Sequence, residues 1–183
     1  MVASGGYDAF MSIKKLLLPV DFSPGSEMAT QVAADMAARL GAEVDVLHVW
    51  DPKRRDPREQ WTELSTNLPG EQGVDEFVTG HVVTLLREVV ARLRAVGLQA
   101  RGRFEPGDPA TTSVAFATTG GYRAIVMGTF GRTAIKEALI GSCAERVVRT
   151  SPIPIMVVPT QPDKRGVPEV GGRWIADEGP LQE

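Results

Sequence analysis

Short apolar runs alternate with longer segments of helical periodicity along this chain. The first run, residues 14–20, lacks polar alternation, which is typical of a strand covered on both faces. Ser23, Pro24 and Gly41 then supply the start and stop signals of a helix. Its apolar positions recur at steps of three and four and predict one buried stripe: Ala29, Val32, Ala33, Met36, Ala37 and Leu40.

The same alternation continues to the last apolar run. Four further strands are predicted at residues 43–50, 99–105, 124–128 and 153–158, and the charges in 99–105 indicate an edge position. A second helix is marked by apolar positions from Val78 and stops at Gly97. The third is expected to be capped by Asp108, with Pro109 in its first turn, and the fourth covers residues 143–150.

Strands that alternate with helices predict a doubly wound α/β domain. Parallel neighbours need crossover connections, so we expect a mostly parallel sheet of five strands with helices on both faces. We expect one domain over residues 13–160, after a flexible leader at 1–12 and before an extended or disordered tail at 161–183. Residues 51–80 form a long variable loop in this prediction, because they are rich in Pro, Arg, Asp and Gly.

Composition and charge exclude several functional classes. A formal net charge of −3 over 183 residues gives no electrostatic case for nucleic acid or an anionic membrane as partner. Apolar runs fall far short of the ~20 residues that a membrane span needs. Neither a signal peptide nor a cysteine pair is present, and the lone Cys143 fits a reducing cytoplasm. We therefore expect a cytoplasmic protein.

Two segments should meet beyond the carboxyl ends of the strands, where doubly wound sheets bind ligands. Asp21 follows the first strand and can accept hydrogen bonds from ribose hydroxyls. Gly128 and Gly131 follow the fourth strand, and glycines let the backbone approach phosphate oxygens. Gly141 then leads into a helix whose first N–H groups favour anions, with Arg132 and Ser142 as further donors. The sequence therefore predicts an anion site in two parts.

The spacing of Gly128, Gly131, Gly141 and Ser142 resembles the G-x2-G-x9-G-[S/T] motif of ATP-binding universal stress proteins. The resemblance covers residues 14–159 and implies a sheet order of 3-2-1-4-5. It implies that the adenosine end is lined by Pro19, Val20, Asp21 and Val49, with Met127 and Gly128 closing on adenine and ribose. It places the phosphates among Gly131, Arg132, Gly141, Ser142 and the backbone of Cys143.

Simpler structural roles remain open for several of these residues. Gly128 could serve close packing at a strand end, and Ser142 with Glu145 matches a capping box. Asp21 could cap the first helix jointly with Ser23, which is compatible with ligand binding. Cys143 could be a small packing residue or an oxidant sensor. His48 and His81 are expected to be core or surface residues rather than metal ligands.

The resemblance implies a nucleotide-dependent stress-response or regulatory protein that binds ATP, with Mg²⁺, and forms a homodimer through residues 153–158. One alternative is a slow ATPase or nucleotidyl-transferring enzyme that uses the same pocket. Another is a dimeric scaffold without nucleotide. Because the sequence has no Walker A motif, no nucleophile with an adjacent base and no paired carboxylates near the glycines, we expect no dedicated catalysis and at most weak ATP hydrolysis.

Overall fold

Strands and helices alternate throughout the part of the chain that the structure describes. The structure is a computed structural model, and it describes residues 13–51, 70–129 and 140–159, with only the backbone of residues 70–79. The elements in chain order are β1 (Lys15–Pro19), α1 (Pro24–Leu40), β2 (Glu43–Trp50), α2 (Gly70–Ala95), β3 (Ala100–Pro106), α3 (Pro109–Thr119), β4 (Ala124–Gly128), α4 (Ser142–Thr150) and β5 (Ile155–Val158).

All five strands belong to one parallel sheet, in the order β3-β2-β1-β4-β5. Helices α1 and α2 cover one face, and α3 and α4 cover the other. The predicted fold class and strand order are confirmed, including the edge position of β3. None of the helices that the structure describes combines the length and the hydrophobicity that a membrane span requires.

The side chains of β1 divide the core into two clusters. Leu16 and Leu18 point into the cluster beneath α1 and α2, whereas Leu17 points into the cluster beneath α3 and α4. All three are fully buried, as the unbroken apolar run predicts for a central strand. The sheet therefore presents two separate hydrophobic faces, and successive residues of β1 serve opposite sides of it.

Helix ends follow the predicted capping chemistry at α1 and α3. The Ser23 side chain accepts a hydrogen bond from the backbone N–H of Ser26, and Gly41 ends α1 in the left-handed conformation with φ 61°. Asp108 likewise accepts from the N–H of Thr111 at the start of α3. These three predictions are confirmed by the structure.

The predicted loop at residues 51–80 is too long, because α2 begins at Gly70. The helical spacing of apolar residues was counted only from Val78. It therefore gave no sign of the helical residues between Gly70 and Val78. These residues include Glu and Gln, which have high intrinsic helix propensity, and acidic residues that favour a helix N-terminus. Residues 52–69, the predicted leader at 1–12 and the tail at 161–183 lie outside the described residues.

A buried carboxylate ties three elements together near the amino ends of the strands. Asp45 on β2, 7% exposed, accepts hydrogen bonds from the Tyr122 hydroxyl at 2.7 Å and from Arg101 Nε at 2.9 Å, and Lys15 Nζ lies 3.3 Å away. Burial by itself would raise the pKa of Asp45, but these donors outweigh it and hold that pKa below its usual range. The sequence reading of β2 as an apolar strand missed this cluster.

An ion pair joins α3 and α4, the two helices on the face of the sheet opposite α1 and α2. The two terminal guanidinium nitrogens of Arg146 on α4, Nη1 and Nη2, each lie 2.8 Å from a carboxylate oxygen of Asp108, the N-cap of α3. The Arg146 guanidinium, together with the N–H and hydroxyl of Thr111, holds the pKa of Asp108 well below its ordinary value, although partial burial acts in the opposite direction. The pair therefore connects the entrance of α3 to the first turns of α4.

We expect this pair to make stability depend on pH in the acid range. The folded pKa of Asp108 lies below the unfolded value of about 3.9, so the stabilisation is complete above about pH 5 and is lost as pH falls through the folded pKa. Urea unfolding of wild type and Arg146→Met should therefore differ most near neutral pH, and the difference should shrink in acid. Arg149→Met, which removes an exposed pair within α4, is the control and should have little effect at either pH. A difference that stays constant with pH would contradict this assignment.

Candidate functional site

The carboxyl ends of β1 and β4 lie side by side at the centre of the sheet. The two strands pair in register at Leu16 with Ala124 and at Leu17 with Ile125. From β1 the chain continues to β2 and β3 on one side, and from β4 it continues to β5 on the other. The strand order therefore reverses between β1 and β4, which opens a crevice where such sheets bind ligands.

The turn after β1 is organised around the carboxylate of Asp21. Its Oδ1 accepts hydrogen bonds from the Ser23 backbone N–H at 3.1 Å, the Ser23 hydroxyl at 2.5 Å and the Ser26 hydroxyl at 2.5 Å. The Ser26 hydroxyl also accepts from the Asp21 backbone N–H at 2.9 Å. Ser23 is the N-cap of α1, and the Asp21 carboxylate holds the hydroxyls of Ser23 and Ser26 at this helix end.

Gly128 at the end of β4 lies against the start of α1. A Cβ added to Gly128 would meet the backbone carbon and oxygen of Gly25 at 2.7 Å. Real Cβ atoms essentially never come this close to backbone atoms, so only glycine fits without a shift of α1. Close packing, the simpler role left open for Gly128, is therefore a requirement of the fold whether or not the residue also contacts a ligand.

Thr129 is hydrogen-bonded both to β5 and to the residue that precedes α4. Its backbone N–H donates to the carbonyl of Val158 on β5 at 2.8 Å, and its own carbonyl accepts from the N–H of Gly141 at 2.7 Å. The chain therefore leaves the sheet and enters α4 at nearly the same point. Gly131 and Arg132, the two loop residues in the predicted site, lie outside the described residues.

Helix α4 begins at Ser142, with Gly141 as its N-cap. The capping box of Ser142 and Glu145 is therefore wrong, because Ser142 is one residue too far along to cap, and the N-cap makes no side-chain hydrogen bond. The first N–H groups of a helix have no partner within the helix. At α4 they are left without an N-cap side chain, and this arrangement favours an anion.

The predicted site residues divide between the two faces of the sheet. Met127 is buried in the cluster beneath α3 and α4, and Val49 and Cys143 pack against the same cluster. Val20 is buried in the other cluster, beneath α1 and α2. The structure therefore places Val49, Met127 and Cys143 on one face of the sheet and the Val20 side chain on the other.

The described residues contain no metal centre of their own. Within residues 13–51, 70–129 and 140–159, no three His, Cys, Asp or Glu side chains are grouped so that they could hold a metal ion. His48 is buried in the core, as expected for a structural histidine, and His81 is exposed on α2. The chemistry that the crevice offers is hydrogen bonding and helix-terminal electrostatics.

Sequence reasoning missed three residues that build the site. Ser26 closes the Asp21 turn, Gly25 accepts the close approach of β4, and Thr129 is hydrogen-bonded to β5 and to Gly141. The sequence could have indicated the role of Gly25, because glycine is unfavourable within a helix and its presence there suggests a close backbone contact. No such indication existed for Ser26 and Thr129, because their partners are set by the tertiary fold.

Comparisons with known proteins give one consistent result. The model of the universal stress protein family matches residues 12–159. Universal stress protein MJ0577 of Methanocaldococcus jannaschii is 30% identical over 152 residues, which cover 79% of this chain and 94% of that protein. MJ0531 of the same organism is 33% identical over 147 residues, with coverages of 79% and 81%. The solved structure of MJ0577 superposes with a TM-score of 0.70 at 27% identity, covering 83% of this chain and 99% of that one.

We expect substitution of Gly128 to be costly because its neighbour is backbone. Gly128→Ala should lower the free energy of unfolding by about 1–3 kcal/mol, the usual cost of overpacking. Gly80→Ala is the matched control: Gly80 lies inside α2 with nothing near its added Cβ, so alanine should stabilise by about 0.5–1 kcal/mol. Urea unfolding of the two variants measures both effects. Equal stabilities for Gly128→Ala and wild type would contradict the close contact with Gly25.

Proposed function

We propose that this chain, which belongs to the universal stress protein family, binds an adenine nucleotide in the crevice between β1 and β4. ATP with Mg²⁺ is the ligand that we favour. The bound nucleotide would act as a regulatory signal in a stress response rather than as the substrate of a dedicated enzyme. We place the protein in the cytoplasm, in keeping with its single cysteine.

One observation carries the proposal: the entrance of α4 lies beside the end of β4, and the Asp21 turn follows β1, the strand that pairs with β4. The hydrogen bond from Gly141 N–H to the Thr129 carbonyl brings the N-terminus of α4 to the sheet at this point. Because the N-cap of α4 is a glycine, phosphate oxygens can approach the first N–H groups without displacing a side chain. A nucleotide fits such an arrangement, with phosphates at α4 and the nucleoside towards β1.

The fold supports an adenine nucleotide as the class of ligand. Two solved universal stress proteins that share this fold are complexes, one with cAMP and one, from Archaeoglobus fulgidus, with dAMP. They are 21% and 20% identical to this chain, with TM-scores of 0.59 and 0.55, so the likeness concerns the fold alone. The preference for ATP rests on the spacing of Gly128, Gly131, Gly141 and Ser142, which resembles the motif of ATP-binding universal stress proteins.

Within this proposal, different residues contact the base, the ribose and the phosphates of the nucleotide. Val49 and Met127 would contact the base, and Asp21 the ribose. The phosphates would lie among Gly131, Arg132, Gly141 and Ser142. Mg²⁺ would enter with the phosphates, since in such sites it keeps several waters and is held largely by phosphate oxygens. Val20 would support the site from the opposite face, because its side chain is buried beneath α1 and α2.

We expect ATP or ADP to co-purify with the protein, which mass spectrometry of the freshly purified and denatured chain would detect. Calorimetry should give micromolar affinity for ATP with Mg²⁺, corresponding to about −8 kcal/mol. The double variant Gly131→Val, Gly141→Val should lose this binding because its added side chains occupy the phosphate positions.

The control for this experiment is Gly80→Ala, which should bind as wild type does. Unchanged ATP binding in the double valine variant would refute the phosphate positions, and no binding by wild type would refute the proposed function. Steady turnover of more than about one ATP per minute, abolished by the same variant, would favour the enzyme alternative.

We also propose a homodimer built through β5. This strand lies at one edge of the sheet, where unpaired backbone groups form a template for a further strand. Exposed apolar side chains accompany it: Met156 on β5 is 42% exposed and Val148 on α4 is 49% exposed. An exposed edge strand of this kind tends to pair with a further strand. The β5 strand of a second copy of the chain supplies one that matches it.

Met156→Lys should convert the dimer to a monomer, because a buried interface does not tolerate an unpaired ammonium group. Leu40→Lys is the matched control, since Leu40 is the last residue of α1 and is exposed to a similar extent, 39%. Light scattering coupled to size-exclusion chromatography measures the mass at micromolar concentration. A monomeric wild type, or a dimeric Met156→Lys variant, would show that β5 is not the interface.

A further inference from the structure

A buried histidine on β2 contacts the turn that follows β1. His48 is 6% exposed, and its Nδ1 lies 2.7 Å from the backbone carbonyl oxygen of Val20. Because a carbonyl oxygen only accepts hydrogen bonds, Nδ1 must carry the hydrogen and act as donor. The two residues are 28 positions apart in sequence. This bond therefore fixes the turn from a neighbouring strand rather than from within its own segment.

The same hydrogen bond marks the point where pairing between β1 and β2 ends. The backbone N–H of Val20 still donates to the carbonyl of Leu47 at 2.8 Å, as in a continued parallel ladder. The Val20 carbonyl instead accepts from the His48 side chain. The side chain thus satisfies a buried backbone group at the position where the chain leaves the sheet.

The imidazole ring is also held between two aromatic rings. Phe22 stacks on it with ring centroids 4.7 Å apart and an interplanar angle of 24°. Phe104 on β3 lies 6.0 Å away at 9°, and both phenylalanines pack against the cluster beneath α1 and α2. His48 therefore contacts the turn twice, through the carbonyl of Val20 and the ring of Phe22.

Phe22 has an unusual backbone conformation that needs support. Its φ is 60°, in the left-handed region that bulky side chains rarely adopt. Such conformations persist where the surrounding structure over-determines them, and they concentrate at functional sites. The stack with His48 is one contact that holds Phe22 in this conformation.

Asp21 lies between the two residues that His48 holds. We propose that His48 is a positioning residue for the nucleotide site: it fixes Val20 and Phe22 and thereby sets the orientation of Asp21 and of the turn that begins at Pro19. The inference rests on the proposed function, since it assigns a role within that same site. His48 itself acts from the face beneath α1 and α2, through the turn, and does not contact the ligand.

Two substitutions separate the contacts of His48. His48→Phe keeps a flat ring between the two phenylalanines but removes the hydrogen-bond donor. His48→Asn retains an N–H donor near the position of Nδ1 and removes the aromatic ring. Tyr122→Phe is the control, because it removes a buried hydrogen bond of 2.7 Å, to Asp45, near the amino ends of the strands.

Calorimetry with ATP and Mg²⁺, and separately with AMP, measures affinity for wild type and the three variants well below their melting temperatures. His48→Phe should weaken binding about tenfold or more, and His48→Asn, which restores the donor but not the ring, should bind more tightly than His48→Phe and more weakly than wild type. Tyr122→Phe should melt at a lower temperature yet bind as wild type does. Wild-type affinity in His48→Phe would overturn the inference and leave the proposed function intact.

Hydrogen exchange separates this inference from the proposed function. The backbone N–H groups of Asp21 and Ser23 donate within the turn, to Ser26 Oγ and Asp21 Oδ1. They should exchange faster in His48→Phe than in wild type, whether or not a nucleotide binds. If wild type binds no nucleotide, the proposed function fails, and unchanged exchange in the variant would overturn the positioning role as well.

A third variant tests the positioning role of His48 if His48→Phe does not fold. Phe22→Gly adopts a φ of 60° without strain but removes the ring that stacks on His48. It should fold, exchange the same two N–H groups faster and bind ATP about tenfold or more weakly. Unchanged exchange and affinity in this variant would overturn the inference.

Discussion

The backbone contact between Gly25 and Gly128 sets the spacing on which the rest of the crevice depends. It holds the start of α1 against the end of β4, with no side chain between them. The Asp21 turn precedes α1 and Thr129 follows β4, so both parts of the proposed site are placed by this one contact. Because it joins backbone to backbone, it can change only if a whole helix moves.

Both faces of the sheet contribute to the site, in different ways. Beneath α3 and α4, Met127 is buried in the core cluster, and Val49 and Cys143 pack against that cluster. Beneath α1 and α2, His48 and Phe22 hold the turn in place. In the proposed site, the residues assigned to the base thus lie on one face of the sheet and the residues that support the turn lie on the other. In a doubly wound fold this division is available because alternate residues of one strand point to opposite faces.

Local patterns allowed most of the fold to be predicted. The apolar run at Leu16, Leu17 and Leu18 and the caps at Ser23 and Asp108 are short-range signals, and the structure confirms them. The start of α2 at Gly70 was missed because helix propensity there is not accompanied by apolar periodicity. The capping box at Ser142 failed because a side chain caps only at one position, and the helix begins one residue earlier than that motif requires.

The candidate site was less predictable, since its supports join residues far apart in sequence. Nothing near His48 indicates that it bonds to Val20, and nothing near Thr129 indicates a bond to Val158. The face of Val20 was predictable: it follows Leu16 and Leu18 at steps of two, so it shares their side of the sheet. Family resemblance named Val20 as a lining residue, and strand alternation shows which way its side chain points.

A hydrogen bond between Thr129 and Gly141 joins the two residues that flank the segment 130–140. These two residues are fixed to each other, so the sheet and α4 keep their places whatever the length of chain between them. Doubling the length of a loop costs only about 0.6 kcal/mol in closure entropy. Lengthening this segment should therefore cost the fold little, because the hydrogen bond between its flanking residues does not depend on its length.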